Sequence, residues 1–177
     1  GTAAGVVNMV SKRPLFEPQH EVGVSVGNFN RRQIQTDLTG PLSADGRWAY
    51  RLVGVFRESG TQVDYVPDDR RVLAPSLTWR PSGMTSLTLQ ALWQKNNSGS
   101  TGQYLPWSGT VLPNPNGQLP INRFIGEPTD YNRNSRRTVG WLLEHRFNEA
   151  VSFRQNFRLA SNTLKSYAYM GPFWYEN

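Results

Sequence analysis

From Arg31 onward, apolar and polar residues alternate in a two-residue rhythm, segment after segment. RRQIQTDLTGPL places Ile34, Thr36, Leu38 and Leu42 on one face and Gln33, Gln35, Asp37 and Thr39 on the other. RWAYRLVGVFRESG sets Trp48, Tyr50, Leu52 and Phe56 against Arg51, Val53, Val55 and Arg57. The alternation continues through RRVLAPSLTWRP, SLTLQALWQK, RRTVGWLLEHRF and VSFRQNFRLAS, and EVGVSVGN near Glu21 adds one more segment. Such a pattern predicts seven β-strands, each with one polar and one apolar face. No helical period or tandem repeat competes with it.

The predicted connections differ in length from one end of the strands to the other. Tight turns fall near 43–46, 81–85 and 148–150, and long connections near 60–70 and 96–133; a short one at 28–30 departs from the rule. The longest contains YLPWSGTVLPNPNGQLP, rich in Pro, Gly and Asn, and a compact soluble domain rarely carries such a loop without a function for it. Long loops on one rim and short turns on the other are the habit of an outer-membrane barrel. A soluble sandwich spreads its loop lengths over both ends.

The apolar rows supply a second test. Trp48, Tyr50, Trp79, Phe147 and Phe153 sit near the tight-turn ends, where lipid-interface aromatics belong. The same rows end in Arg32, Glu58, Arg71, Lys95 and Arg137 at the long-loop ends. Trp48 to Glu58 is about 33 Å of strand, which at a tilt of roughly 40–45° spans about 25 Å, the height of a lipid-facing band. The polar rows then face a wide, wet lumen. Arg32, Arg71, Lys95 and Arg137 would meet the outer leaflet, where phosphorylated lipopolysaccharide presents anionic groups suited to arginine.

Composition narrows the chemistry further. Over 177 residues the hydrophobic fraction is 37%, and mean hydropathy is −0.56. That is low for a large dry core, although aromatics reach 12%. The net charge of +6 comes with 16 Arg and 3 Lys, a bias that suits carboxylate or phosphate pairing and equally the codon usage of a GC-rich genome. With no cysteine there is no disulfide framework. His20 and His145 are isolated, and no nucleophile elbow, phosphate loop or metal-ligand spacing appears. No enzyme, metal site or cofactor is expected. GTAAGVVNMV lacks an initiator Met and a signal-peptide pattern, so the chain reads as an internal piece of a longer protein.

GVVNMVSKRP at 5–14 resembles the end of the plug domain in TonB-dependent siderophore receptors, where a segment of this form leads into the barrel. TGPLSADGRWAYRLVGVFRESG, APSLTWRPS, GTVLPNPNGQLP and EHRFNEAVSFRQNFRLAS extend the resemblance in the same order along nearly the whole chain, leaning toward the ferrichrome-like, hydroxamate-type branch. The resemblance implies an all-β fold: about seven strands of a plugged transmembrane antiparallel barrel of about 22 strands. Residues 1–18 would be the C-terminal end of the plug with its linker, and 19–177 the N-terminal part of the barrel, with the long extracellular loop near 96–133. The implied function is binding a ferric siderophore and importing it across the outer membrane with energy from the TonB complex, whose contact segment is not in this sequence. Iron would arrive as part of the siderophore ligand.

In ferrichrome-type receptors, loop aromatics just before a Leu-Pro touch the ligand. Tyr104 holds that place, Trp107 lies just beyond it, and Gly102 replaces the companion aromatic. Arg123 and Tyr131 are further ligand-binding candidates. Lys12 and Arg13 are placed to tie the plug to the wall by pairing with lumen carboxylates. The expected partners are thus a ferric siderophore, the TonB complex, and outer-membrane lipid with lipopolysaccharide, and nucleic acid is not among them. Two rivals stay open: a TonB-dependent receptor for another nutrient, and a soluble β-rich module binding carbohydrate or nucleic acid.

Overall fold

The computed structural model describes residues 5, 10–99 and 102–168. Seven strands follow one another in a single antiparallel sheet, ordered as they occur in the chain. They are β1 (Gln19–Gly27), β2 (Arg31–Pro41), β3 (Trp48–Glu58), β4 (Asp68–Ser82), β5 (Thr85–Ser98), β6 (Tyr131–Arg146) and β7 (Ser152–Tyr167). No helix occurs among the described residues. This is the all-β meander that the alternation predicts, and β1 and β7 form its two edges.

The register keeps the two rows apart across every hairpin, because residues directly opposite each other share a face. Ile34 stands opposite Val24 and Phe56, Trp48 opposite Trp79, Leu77 opposite Leu89, and Trp141 opposite Phe157. The other face carries Asp37, Thr39, Arg51, Gln90 and Arg158. Apolar burial is confined to small spots: among the described residues the buried apolar side chains are Ala49, Val63 and Val66. Val24 is 74% exposed and Leu159 62% exposed, so the apolar face has no protein partner among the described residues. In water such a face would be unstable; against lipid it is at home.

Turn chemistry at the tight rim is local. In the β2–β3 turn, Gly46 takes φ +67°, and the Ser43 hydroxyl donates to Asp45 Oδ1. That bond and the Arg47 backbone N–H hold the Asp45 carboxyl below the usual carboxylate range. At the opposite rim, Phe29 and Asn30 both lie at positive φ, the backbone a two-residue hairpin turn of the primed type requires.

The strands run further than the sequence pattern indicates. The long connection is 99–130 rather than 96–133, since Asn96 and Asn97 pair with Asn134 and Arg133. The connection expected at 60–70 is 59–67, because β4 begins at Asp68. The β4–β5 ladder shifts register between Trp79 and Ser82 near the tight turn, and mid-wall it keeps its register from Leu73 to Ser76 without pairing Ala74 or Pro75. Proline has no N–H to offer the ladder there.

Candidate functional site

The loops 59–67 and 99–130 meet at one rim and enclose a cavity of about 290 Å³. Among the described residues, five aromatic rings line it: Tyr65, Tyr104, Phe124, Tyr131 and Tyr167. Tyr131 and Tyr167 stack at 6.2 Å between ring centres, carried by paired positions at the ends of β6 and β7. Tyr65 leans on Phe124 at 6.1 Å. Among the described residues, Asp130 is the charged residue of the lining, and the Arg133 guanidinium lies 4.6 Å over the Tyr131 ring. Aromatic walls with a few polar groups suit a ligand that presents an apolar surface and hydrogen-bonding edges.

Of the ligand-binding residues expected from sequence, Tyr104 and Tyr131 line this cavity; Trp107 and Arg123 do not. The Trp107 carbonyl instead accepts the backbone N–H groups of Thr110, Val111 and Leu112, organising the loop tip while its ring stays exposed. Tyr65, Phe124 and Tyr167 were not singled out from sequence. An aromatic inside a turn-rich segment was the available signal for Tyr65 and Phe124. Tyr167 lies past the point where β7's alternation fades.

A second set of contacts ties the segment preceding β1 to the polar face of the sheet. Lys12 Nζ lies 2.6 Å from Asp37 Oδ2. Arg51 grips the same carboxylate with two bonds, Nε to Oδ1 and Nη2 to Oδ2, both 2.7 Å. Arg13 takes part through its main chain, its carbonyl accepting from Arg51 Nη1 at 3.0 Å, and its side chain makes no ion pair among the described residues. The Leu15 N–H donates to the Thr39 hydroxyl, which itself donates to the Tyr50 carbonyl. Arg158 reaches Ser11, and Arg80 lies over the Phe16 ring at 4.1 Å. Residues 6–9 of GVVNMVSKRP lie outside the described residues. Among the described residues, no group of His, Asp or Glu is arranged to hold a metal ion.

No protein-family model matches the chain. Among curated proteins, it is 40% identical over 162 residues to the ferrichrome outer membrane transporter/phage receptor of Escherichia coli K12, covering 89% of this chain and 21% of that protein. It is 38% identical over 156 residues to the ferrioxamine B receptor of Salmonella typhimurium SL1344, covering 87% and 22%. The closed form of the ferric-catecholate import receptor Fiu from E. coli K12 matches with a TM-score of 0.74 at 23% identity, over 90% of this chain and 24% of that one. The chain belongs to the TonB-dependent siderophore receptors. It spans about a fifth of the length of the curated relatives it matches.

As part of a TonB-dependent receptor, the sheet is a stretch of barrel wall, and its apolar face belongs to the outer membrane. Near the tight turns on that face, Trp48 and Trp79 stack with centres 5.8 Å apart, and Phe153 pairs with His145, which meets Phe147 edge-on. The Tyr50 hydroxyl is 3.2 Å from His20 Nε2, and the Thr85 hydroxyl is 2.8 Å from His145 Nδ1, so both histidines serve hydrogen bonds toward the tight-turn rim. Toward the loop rim, the receptor's outward rows pass into Arg32, Arg71, Lys95 and Arg137. Glu58 lies 3.8 Å from Arg71, whose guanidinium also sits over Phe56.

Proposed function

We propose that this chain begins the barrel wall of a receptor that binds a ferric hydroxamate siderophore at its outer rim and imports it with energy from the TonB complex. In this reading residues 1–18 close the plug domain, 19–177 start the barrel, and iron travels as the ligand's own chelate. The observation that carries the reading is the aromatic cavity, walled by Tyr65, Tyr104, Phe124, Tyr131 and Tyr167. A ferric ion bound by three hydroxamate monoanions is neutral overall. It needs aromatic contact and hydrogen bonds, with no cation cluster to offset a charge. A ferric tris-catecholate carries net negative charge, which walls made chiefly of aromatic rings do little to offset. The two curated relatives named above are described as ferrichrome and ferrioxamine B receptors, in keeping with this class.

Tyr104 and Tyr131 are the ligand contacts of this proposal, with Trp107 and Arg123 at the loop surface as residues a ligand meets on entry. Lys12 and Arg13 serve as plug–wall contacts, Arg13 through its carbonyl. Trp48, Tyr50, Trp79, Phe147 and Phe153 form the lipid-interface belt, and Arg32, Arg71, Lys95 and Arg137 face lipopolysaccharide phosphates. The test is fluorescence titration of the full-length receptor in detergent with ferrichrome, ferrioxamine B and an anionic ferric tris-catecholate. A hydroxamate chelate should bind, the catecholate should bind much more weakly, and Tyr104→Ala should weaken hydroxamate binding roughly three- to tenfold. Preferential binding of the catecholate would overturn the assignment.

A further inference from the structure

Tyr65 occupies a backbone position that a tyrosine should avoid. The Val66 N–H donates to the Val63 carbonyl at 3.3 Å, closing a four-residue turn with Asp64 and Tyr65 at its centre. Tyr65 lies at φ +62°, where turns of this kind favour glycine. Strained residues persist where their surroundings over-determine them, and they gather at ligand clamps. The surroundings here are explicit. The Asp64 N–H donates to the Asn122 carbonyl at 3.0 Å, and Asn122 Nδ2 donates back to Asp64 Oδ2 at 2.8 Å. Below this reciprocal clasp, Val63 and Val66 are buried, and a Cβ on Gly99 would come within 3.1 Å of Val66. The Thr61 hydroxyl donates to the carbonyls of Val63 and Val66.

The clasp joins loop 59–67 to loop 99–130 beside the cavity. Asn122 is two residues before Phe124, and Asp64 immediately precedes Tyr65, so one pair of hydrogen bonds sets both rings of the Tyr65–Phe124 contact. We infer that Tyr65 is a ligand-contacting residue of the rim cavity and that Asp64 and Asn122 are positioning residues that join the two loops into one recognition unit. This inference rests on the siderophore-binding reading above. It explains why a tyrosine stands where glycine would be easier: the ring is needed in the cavity, and the clasp holds the backbone that presents it.

The experiment uses the full-length receptor in detergent, with ferrichrome and ferrioxamine B as separate probes and thermal unfolding measured alongside. Tyr65→Gly relieves the backbone strain while deleting the ring. The expected result is an unchanged or raised Tm with affinity weakened roughly three- to tenfold. Asn122→Asp sets two carboxylates against each other and should weaken binding by a similar factor. Adding Asp64→Asn should restore it, because the amide introduced at position 64 can then donate to the carboxylate introduced at position 122. Wild-type affinity in Tyr65→Gly would overturn the contact role. A parallel fall in Tm and affinity would assign the ring to holding the loop and overturn it too. Failure of the second substitution to rescue Asn122→Asp would overturn the clasp. A wild-type receptor that binds neither probe would overturn the hydroxamate reading itself, an outcome separate from wild-type binding that Tyr65→Gly leaves intact.

Discussion

Asp37 receives two cations that differ in consequence. Arg51 is nearly buried, holds both carboxylate oxygens and also satisfies the Arg13 carbonyl. The Lys12 side chain is 64% exposed and adds one further contact. Losing Lys12 leaves the Arg51–Asp37 pair whole, so Lys12→Gln should cost at most about 1 kcal/mol. Losing Arg51 leaves a carboxylate with a single exposed partner and a carbonyl with none, a loss of about 3 kcal/mol. Thermal denaturation of the full-length receptor should therefore rank Arg51→Ala well below Lys12→Gln, with Arg13→Gln close to wild type; equal effects would refute this division of roles. The sequence rhythm already set Arg51 and Asp37 on one face, because a period of two leaves no freedom in that assignment. It could not show that Arg13 acts through its carbonyl, since main-chain bonds leave no mark on side-chain identity. Tyr65 was hidden for a related reason: TQVDYVPDD reads as loop whatever φ its tyrosine takes.

At the scale of whole strands, β5, β6 and β7 are 14, 16 and 16 residues long, against 11 for β3. The alternation predicts shorter β5 and β6 because their upper rungs, Asn96 to Ser98 and Tyr131 to Arg133, lose the apolar–polar contrast. That contrast comes from having lipid on one side and water on the other, and these rungs stand above the lipid. Backbone pairing continues without it. Tyr131 is four residues above Ser135, the partner of Lys95, which lifts the Tyr131–Tyr167 stack roughly 10 Å above the cationic row at a strand tilt near 45°. The row itself is spread over β2, β4, β5 and β6, with Arg133 and Lys165 on the same face higher up. Because each strand contributes about one cation, single substitutions should have little effect. Replacing Arg71, Lys95 and Arg137 together by Ser should reduce the lipopolysaccharide that co-purifies with the receptor; unchanged co-purification would rule out the contact.

For the molecule as a whole, the fold has its apolar side outward and two open edges, β1 and β7. Expressed alone in water, residues 1–177 should be insoluble or unfolded, because nothing among the described residues covers the lipid-facing side or pairs the edges. A soluble monomer with a cooperative thermal transition would contradict the barrel assignment. The contacts of the segment before β1 also carry a chronology. Leu15 meets Thr39 and Lys12 meets Asp37 at separations of 24 and 25 residues, whereas the Lys12 carbonyl meets Gln90 at 78 and Ser11 meets Arg158 at 147. Closing longer loops costs more entropy and comes later in assembly. The segment therefore seats from its strand-proximal end backward, each earlier residue waiting for a later hairpin, an order that timed cross-linking during insertion would read directly.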